Sequence, residues 1–219
     1  MGALSALNEL APAFTRRTGH RLVIDRETRD QLEHRLISNA YADLIVQTTT
    51  VMDSVIARGK VVEGSSAIFA RAAVGLSVKS GAPWPDISTP ETLKRALLNT
   101  SSICYSLGGS GIVAARAIEK LGITEQMKSK TVHCDGTPAA GYIARGETEM
   151  AIQQLNVSTP VHGTDYVGNL PGDVHEYVVF AAAIMSISKE QETARAFIEF
   201  VTSPEAEALL QKGMMERAR

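Results

Sequence analysis

Two apolar runs limit what this chain can fold into. Residues 66–78, which pass through Phe69, Val74, Leu76 and Val78, and residues 176–187, which contain Ala181-Ala182-Ala183, are both longer than a typical strand. A run of that length suits a strand that crosses from one part of a molecule to another. Because the two runs bracket the middle of the chain, they predict two lobes. Residues 1–72 form the first, with 181–219 returning to it, and residues 73–180 form a second lobe inserted between. A length of 219 residues fits one large domain or two small interlocked lobes better than two independent domains.

Between and around these runs, helices alternate with strands. Leu4, Leu7, Leu10, Ala11 and Phe14 fall at helical spacing, and that helix closes at Thr18-Gly19. The spacing then predicts a strand over His20–Asp25, a helix carrying Leu32, Leu36 and Ile37, and a strand over Ala42–Gln47. The threonines Thr48-Thr49-Thr50 start a helix that ends at Gly59. Ser88-Thr89-Pro90-Glu91 and Thr202-Ser203-Pro204-Glu205 both read as helix starts, each with a capping hydroxyl followed by a proline in the first turn. Further strands are expected at 102–105, 131–134 and 150–155, with helices over 112–121, 139–146 and 194–201. This alternation predicts an α/β fold with parallel-rich sheets flanked by helices, and in such sheets ligands sit beyond the carboxyl ends of the strands.

Charge and composition exclude several classes of function. The net charge is −2, and no Lys/Arg run exceeds the pair Arg16-Arg17, so neither an extended nucleic-acid surface nor a polybasic membrane surface is expected. No apolar run reaches membrane-spanning length. Met1-Gly2-Ala3-Leu4-Ser5 lacks the basic segment and long apolar stretch of a secretory signal. The expectation is therefore a periplasmic protein whose leader has been removed, or else a cytoplasmic one. Cys104 and Cys134 can pair only if their strands are neighbours; otherwise they are free thiols. The five histidines show no metal-ligand spacing, so no metal is expected, and no nucleotide or other cofactor motif is present.

The clearest chemical signal is Ser106-Leu107-Gly108-Gly109-Ser110-Gly111, which lies between a strand and an alanine-rich helix. Such a loop can aim backbone N–H groups and hydroxyls at an anion, aided by the positive end of the helix dipole; it also suits a plain tight turn. It meets neither the G-x-x-x-x-G-K-[ST] nor the G-x-G-x-x-G pattern. Ser106, Gly109, Ser110 and Gly111 are thus candidate ligand contacts. Thr28, Arg29, Thr48, Gln153 and Gln154 join them as polar residues at helix starts or strand ends.

The order of motifs resembles that of type II periplasmic solute-binding proteins, in the molybdate-binding-protein-like group. Leu7–His20 is similar to that family's first helix, and Ala42-Asp43-Leu44-Ile45 to its second strand. Further matches are Gly81-Ala82-Pro83 with Asp86–Glu91, Ser106–Gly111, Arg145-Gly146-Glu147, and Phe197–Phe200 with Ser203–Ala206. The resemblance implies a two-lobed fold hinged on two crossing strands, a small anionic ligand held in the cleft between the lobes, and an ABC-transporter permease as partner. It also implies a serine-bearing turn before the first helix, for which Ser5 is the candidate replacement. Where the oxyanion binders have a small Gly/Ser turn, this chain has Glu27-Thr28-Arg29-Asp30, and a guanidinium grips a planar carboxylate through two parallel bonds.

The same group includes aconitate isomerases, which keeps open a second reading, the cofactor-independent movement of a proton in a small unsaturated di- or tricarboxylate. Its candidate acid and base groups near predicted strand ends are Tyr105, His133, Asp135 and Glu147. An effector-binding domain of a regulator shares the fold, but no DNA-reading element accompanies it here.

Overall fold

The computed structural model describes residues 2–27 and 29–218, except for the side chain of Arg29. The chain divides into two compact units: unit 1 comprises Met1–Arg71 and Val179–Arg219, and unit 2 comprises Ala72–Val178.

Unit 1 begins with helix α1 (Leu4–Thr18), which buries Ala6, Leu10, Ala11 and Phe14 on one face. Gly19, at φ 79°, closes the helix by donating its N–H to the Thr15 carbonyl. Helix α2 (Arg29–Ser38), strand β1 (Leu44–Thr48) and helix α3 (Thr49–Ala57) follow, and then the 13-residue strand β2 (Ala67–Lys79), which passes into unit 2 after Arg71.

Residues 20–25 do not form the predicted strand. They join no ladder, and Val23 is 76% exposed. The composition suits a strand, but a strand exists only where a neighbour satisfies its backbone groups. Side-chain tethers act here instead, with Arg35 pairing to Glu27 and Asp25 and donating to the Tyr41 carbonyl.

Unit 2 contains α4 (Pro90–Asn99), β3 (Ile103–Tyr105), α5 (Gly109–Lys120), α6 (Thr124–Lys128), β4 (Thr131–His133), α7 (Ala139–Ala144), β5 (Met150–Gln154), α8 (Leu155–Ser158) and β6 (Thr164–Asn169). Thr89 caps α4 in a reciprocal box with Thr92, as the local signal predicts. Strands β3, β4 and β5 run parallel, with β3 in the middle, while β2 pairs antiparallel with both β5 and β6. The ladder between β2 and β6 shifts register at Leu76/Ser77. Beside the shift, Gly75 leaves no room for a side chain, since a Cβ there would lie 2.1 Å from the Gly168 carbonyl oxygen.

Strand β7 (Tyr177–Ile184) returns the chain to unit 1 and pairs antiparallel with β1. Helices α9 (Gln191–Thr202) and α10 (Glu207–Lys212) and the short strand β8 (Glu216–Arg217) complete the unit, with β8 pairing to β2 at Ala70 and Arg71. A turn of 3-10 helix at Pro204–Ala206 precedes α10 at the second predicted helix start. Phe197 meets Phe14 edge-on, with ring centroids 5.2 Å apart.

Asp43 ties the start of β1 to the start of α9. Its carboxylate accepts from the hydroxyls of Tyr41 and Ser188 and from the amides of Lys189 and Glu190. Burial pushes this carboxyl up, but the four donors outweigh burial and hold it below its ordinary 3.8.

Two outcomes are expected. A carboxyl depressed on folding stabilises the fold above its unfolded value near 3.8, and that stabilisation is lost as pH falls through the lower folded value. Asp43→Asn should therefore flatten the loss of stability below about pH 4 in acid titrations followed by circular dichroism. Gly75→Ala should lower the urea midpoint by the equivalent of about 1–3 kcal/mol, with an unchanged m-value.

Candidate functional site

In unit 2 the parallel block ends on one edge. The register pairs Ile103 with both Thr131 and Met150, so the carboxyl ends at Tyr105, His133 and Gln154 point the same way. Helices α5, α7 and α8 all start at that edge.

The Ser106–Gly111 loop is built by close approach. The Ser106 hydroxyl accepts the Gly108 N–H at 3.2 Å, and a Cβ on Gly111 would lie 1.5 Å from the Ser106 carbonyl oxygen. Only glycine permits that fold-back. The first intrahelical bond of α5 runs from the Ile112 N–H to the Gly108 carbonyl, which leaves the amides of Gly109, Ser110 and Gly111 beyond the reach of any intrahelical acceptor. Ser110 and Gly111 are buried, and Gly109 is half-buried. Leu107 stands 70% exposed beside them.

Tyr105 and His133 sit side by side at this edge. Their rings meet edge-on at 5.0 Å, and His133 Nδ1 lies 3.4 Å from the Tyr105 carbonyl oxygen. A proton on Nδ1, donated to that oxygen, leaves Nε2 of the exposed imidazole as an acceptor, the form a general base requires. The next loop is held by Tyr142, whose hydroxyl accepts the Asp135 N–H, while Thr137 donates to the Asp135 carboxylate. Hydrogen bonds from Tyr142 and then Thr137 hold Asp135 below the usual carboxylate range.

The remaining candidates are placed differently. Gln153 is buried, and its side-chain oxygen accepts the Ala139 N–H at 2.9 Å, so it secures the start of α7. Gln154 is buried at the start of α8. Glu147 lies in the turn between α7 and the amino end of β5. Arg145 grips it with two bonds of 2.6 and 3.0 Å and keeps it below the ordinary carboxylate range. A carboxylate so depressed is a poor general base.

In unit 1, Ser5 donates to the Gly213 carbonyl at 2.8 Å. Thr48 is the half-buried last residue of β1, at the start of α3, and its hydroxyl makes no capping bond. Thr28 and the side chain of Arg29 lie outside the described residues. Among the described residues, no group of three or more His, Cys, Asp or Glu is arranged to hold a metal ion, and no helix is long and apolar enough to cross a membrane.

Local pattern did not flag Tyr142 or the capping role of Gln153. The only sequence signal for Tyr142 is its place one turn after Pro138, on the buried side of a short helix.

Comparison with known proteins adds family membership to this geometry. The family model for bacterial extracellular solute-binding proteins matches residues 2–214. The chain is 28% identical over 211 residues to an aconitate isomerase of a Pseudomonas species, covering 94% of this chain and 80% of the relative. It is 24% identical over 206 residues to the molybdate-binding protein ModA of Azotobacter vinelandii, covering 91% and 81%. The solved structure of the periplasmic molybdate-binding protein of Azotobacter vinelandii superimposes with a TM-score of 0.82 at 17% identity, over 100% of this chain and 96% of that one. The architecture is thus the two-lobed α/β fold of type II periplasmic binding proteins. Fold and full-length match together make the chain a member of the bacterial extracellular solute-binding protein family, in its molybdate-binding-protein-like group.

Proposed function

We propose that this protein captures a small carboxylate-bearing anion for an ABC transporter, with the Ser106–Gly111 amides as its principal anion contact. The observation that carries this reading is the forced fold-back at Gly111. It holds the first-turn amides of a 12-residue helix in place at the carboxyl edge of the parallel block, with the helix dipole behind them. Leu107, exposed at the rim, favours an organic anion over a bare inorganic one, because it offers apolar contact to a carbon skeleton. Ser5 and Gln153 already spend a side-chain group inside the protein, and we give them supporting roles. Family membership supports a location outside the cytoplasm, and we propose the periplasm.

A second reading has its own support in the match to an aconitate isomerase over 94% of this chain, together with the Tyr105–His133 pair beside the amide loop. In this reading the amides hold a substrate carboxylate. His133 Nε2 takes a proton from one carbon of the allylic system, and the Tyr105 hydroxyl returns one at another. Both groups must lie within hydrogen-bond reach of the carbon chain.

A thermal-shift panel of citrate, cis-aconitate, trans-aconitate and molybdate tests the first reading. At a hundredfold excess over its dissociation constant, a bound carboxylate adds about 2.7 kcal/mol of stability, a shift of several degrees in Tm. Gly111→Ala should remove that shift. A panel in which molybdate alone binds, or nothing does, overturns the carboxylate reading. Proton NMR of cis-aconitate incubated with the protein decides the second. The trans isomer should accumulate with wild type and fall at least a hundredfold with His133→Gln, and an unchanged spectrum with wild type retires the isomerase for that substrate.

A further inference from the structure

We propose that Tyr142 is a positioning residue for His133, and that Arg145-Gly146-Glu147 is the buttress that holds Tyr142 in place. The role rests on the second reading above, in which His133 takes the proton, and it accounts for a motif that neither reading uses.

His133 is the last residue of β4, a three-residue strand whose only ladder partner among the described residues is β3. An edge that short frays at its end unless the chain beyond it is tied down. The last bond of the ladder, from the Cys134 N–H to the Tyr105 carbonyl, is 3.3 Å long, and the same carbonyl oxygen lies 3.4 Å from His133 Nδ1. One acceptor thus receives both the strand end and the ring, so a backbone shift just past His133 takes the imidazole off its acceptor. The next anchor along the chain is the Asp135 N–H, which donates to the Tyr142 hydroxyl at 3.2 Å.

Tyr142 acts through that bond and not by touching the imidazole. Its side chain packs in one cluster with the free thiols Cys104 and Cys134 and with Ala139, Ile143 and Ala151. Tyr105 follows Cys104 in β3 and so projects from the opposite face, where its ring meets His133. Tyr142 is 9% exposed, and a ring with little room to move carries the hydroxyl.

The motif fixes that ring from its other side. Helix α7 closes with two nested backbone bonds, from the Gly146 N–H to the Ile143 carbonyl and from the Glu147 N–H to the Tyr142 carbonyl, with Gly146 at φ 76°. This turn brings Arg145 and Glu147 together, and their two bonds hold the guanidinium over the Tyr142 ring, 4.6 Å from its centroid. Glu147 therefore serves the site at one remove: it orients Arg145, Arg145 covers Tyr142, and Tyr142 holds the backbone beside His133.

Nitrogen NMR of the imidazoles in the wild-type protein and in Tyr142→Phe, at a pH where histidine is neutral, tests the assignment. The substitution removes the acceptor and keeps the ring. The wild-type His133 signal, identified by its loss in His133→Gln, should show the Nδ1–H form. Tyr142→Phe should give a mixture of the two tautomers with an unchanged circular-dichroism spectrum, and Glu147→Gln a smaller change in the same direction. In turnover of cis-aconitate, Tyr142→Phe should lower kcat about tenfold or more while KM stays within about twofold of wild type. A His133 that keeps its Nδ1–H form in Tyr142→Phe, even with a lower Tm, has a merely structural neighbour in Tyr142 and overturns the proposal. A wild type without turnover but with the expected tautomer change retires the isomerase alone and upholds the hold of Tyr142 on His133.

Discussion

A strand buried on both faces must find a partner for every backbone N–H and C=O it carries, and this requirement on β2 organises the molecule. From Phe69 to Val78 the strand is buried almost without interruption. No water reaches those groups, so other strands must. In unit 1, β8 pairs with Ala70 and Arg71; in unit 2, β5 and β6 take the two sides of the strand from Val74 onward. Because β5 is also the partner of β3, the position of β2 sets that of the parallel block, and with it the edge where Tyr105, His133 and the amide loop are found. The register shift at Leu76/Ser77 shows the cost of the crowding, because it is accommodated only where Gly75 lets two backbones nearly touch.

That same requirement explains why much of the fold can be read from the chain. A strand with two buried faces is a continuous apolar run, so β2 is visible as a run longer than an ordinary strand, whereas β7 takes only Tyr177–Ile184 of the apolar run 176–187. Helix starts are visible because capping is local chemistry; Thr89 and Thr92 satisfy each other within four residues. Residues 20–25 mark the limit. Their composition matches a strand, yet a ladder needs a neighbour brought from elsewhere in the chain, and no local pattern encodes whether one arrives. Arg35, reaching back to Glu27 and Asp25, occupies those residues instead.

The candidate site divides along the same line. Ser106–Gly111 was readable because small residues signal close backbone approach, and the approach of Gly111 to the Ser106 carbonyl is what the loop depends on. Gln153 reads as a polar strand end that could face a ligand, but strand pairing turns it inward to hold the Ala139 amide. Glu147 reads as a loop acid near a strand; only the structure shows it already gripped by Arg145. Whether Cys104 and Cys134 meet is a question of register between parallel strands, and a spacing of residues along the chain does not contain it.

Binding and proton transfer make different demands on such an edge. Holding an anion needs oriented donors, and the proposed ones are backbone amides whose position is enforced by a steric constraint at one glycine. Moving a proton needs a titrating group free of competing partners and placed over the carbon that reacts. Of the acids and bases near this block, Asp135 is committed to Tyr142 and Thr137, and Glu147 to Arg145, which leaves the exposed imidazole of His133 against the ring of Tyr105 as the pair whose geometry suits the task. In the two proposed readings, the part assigned to charge is backbone and the part assigned to chemistry is a pair of strand-end side chains, so the two demands fall on different atoms of one edge.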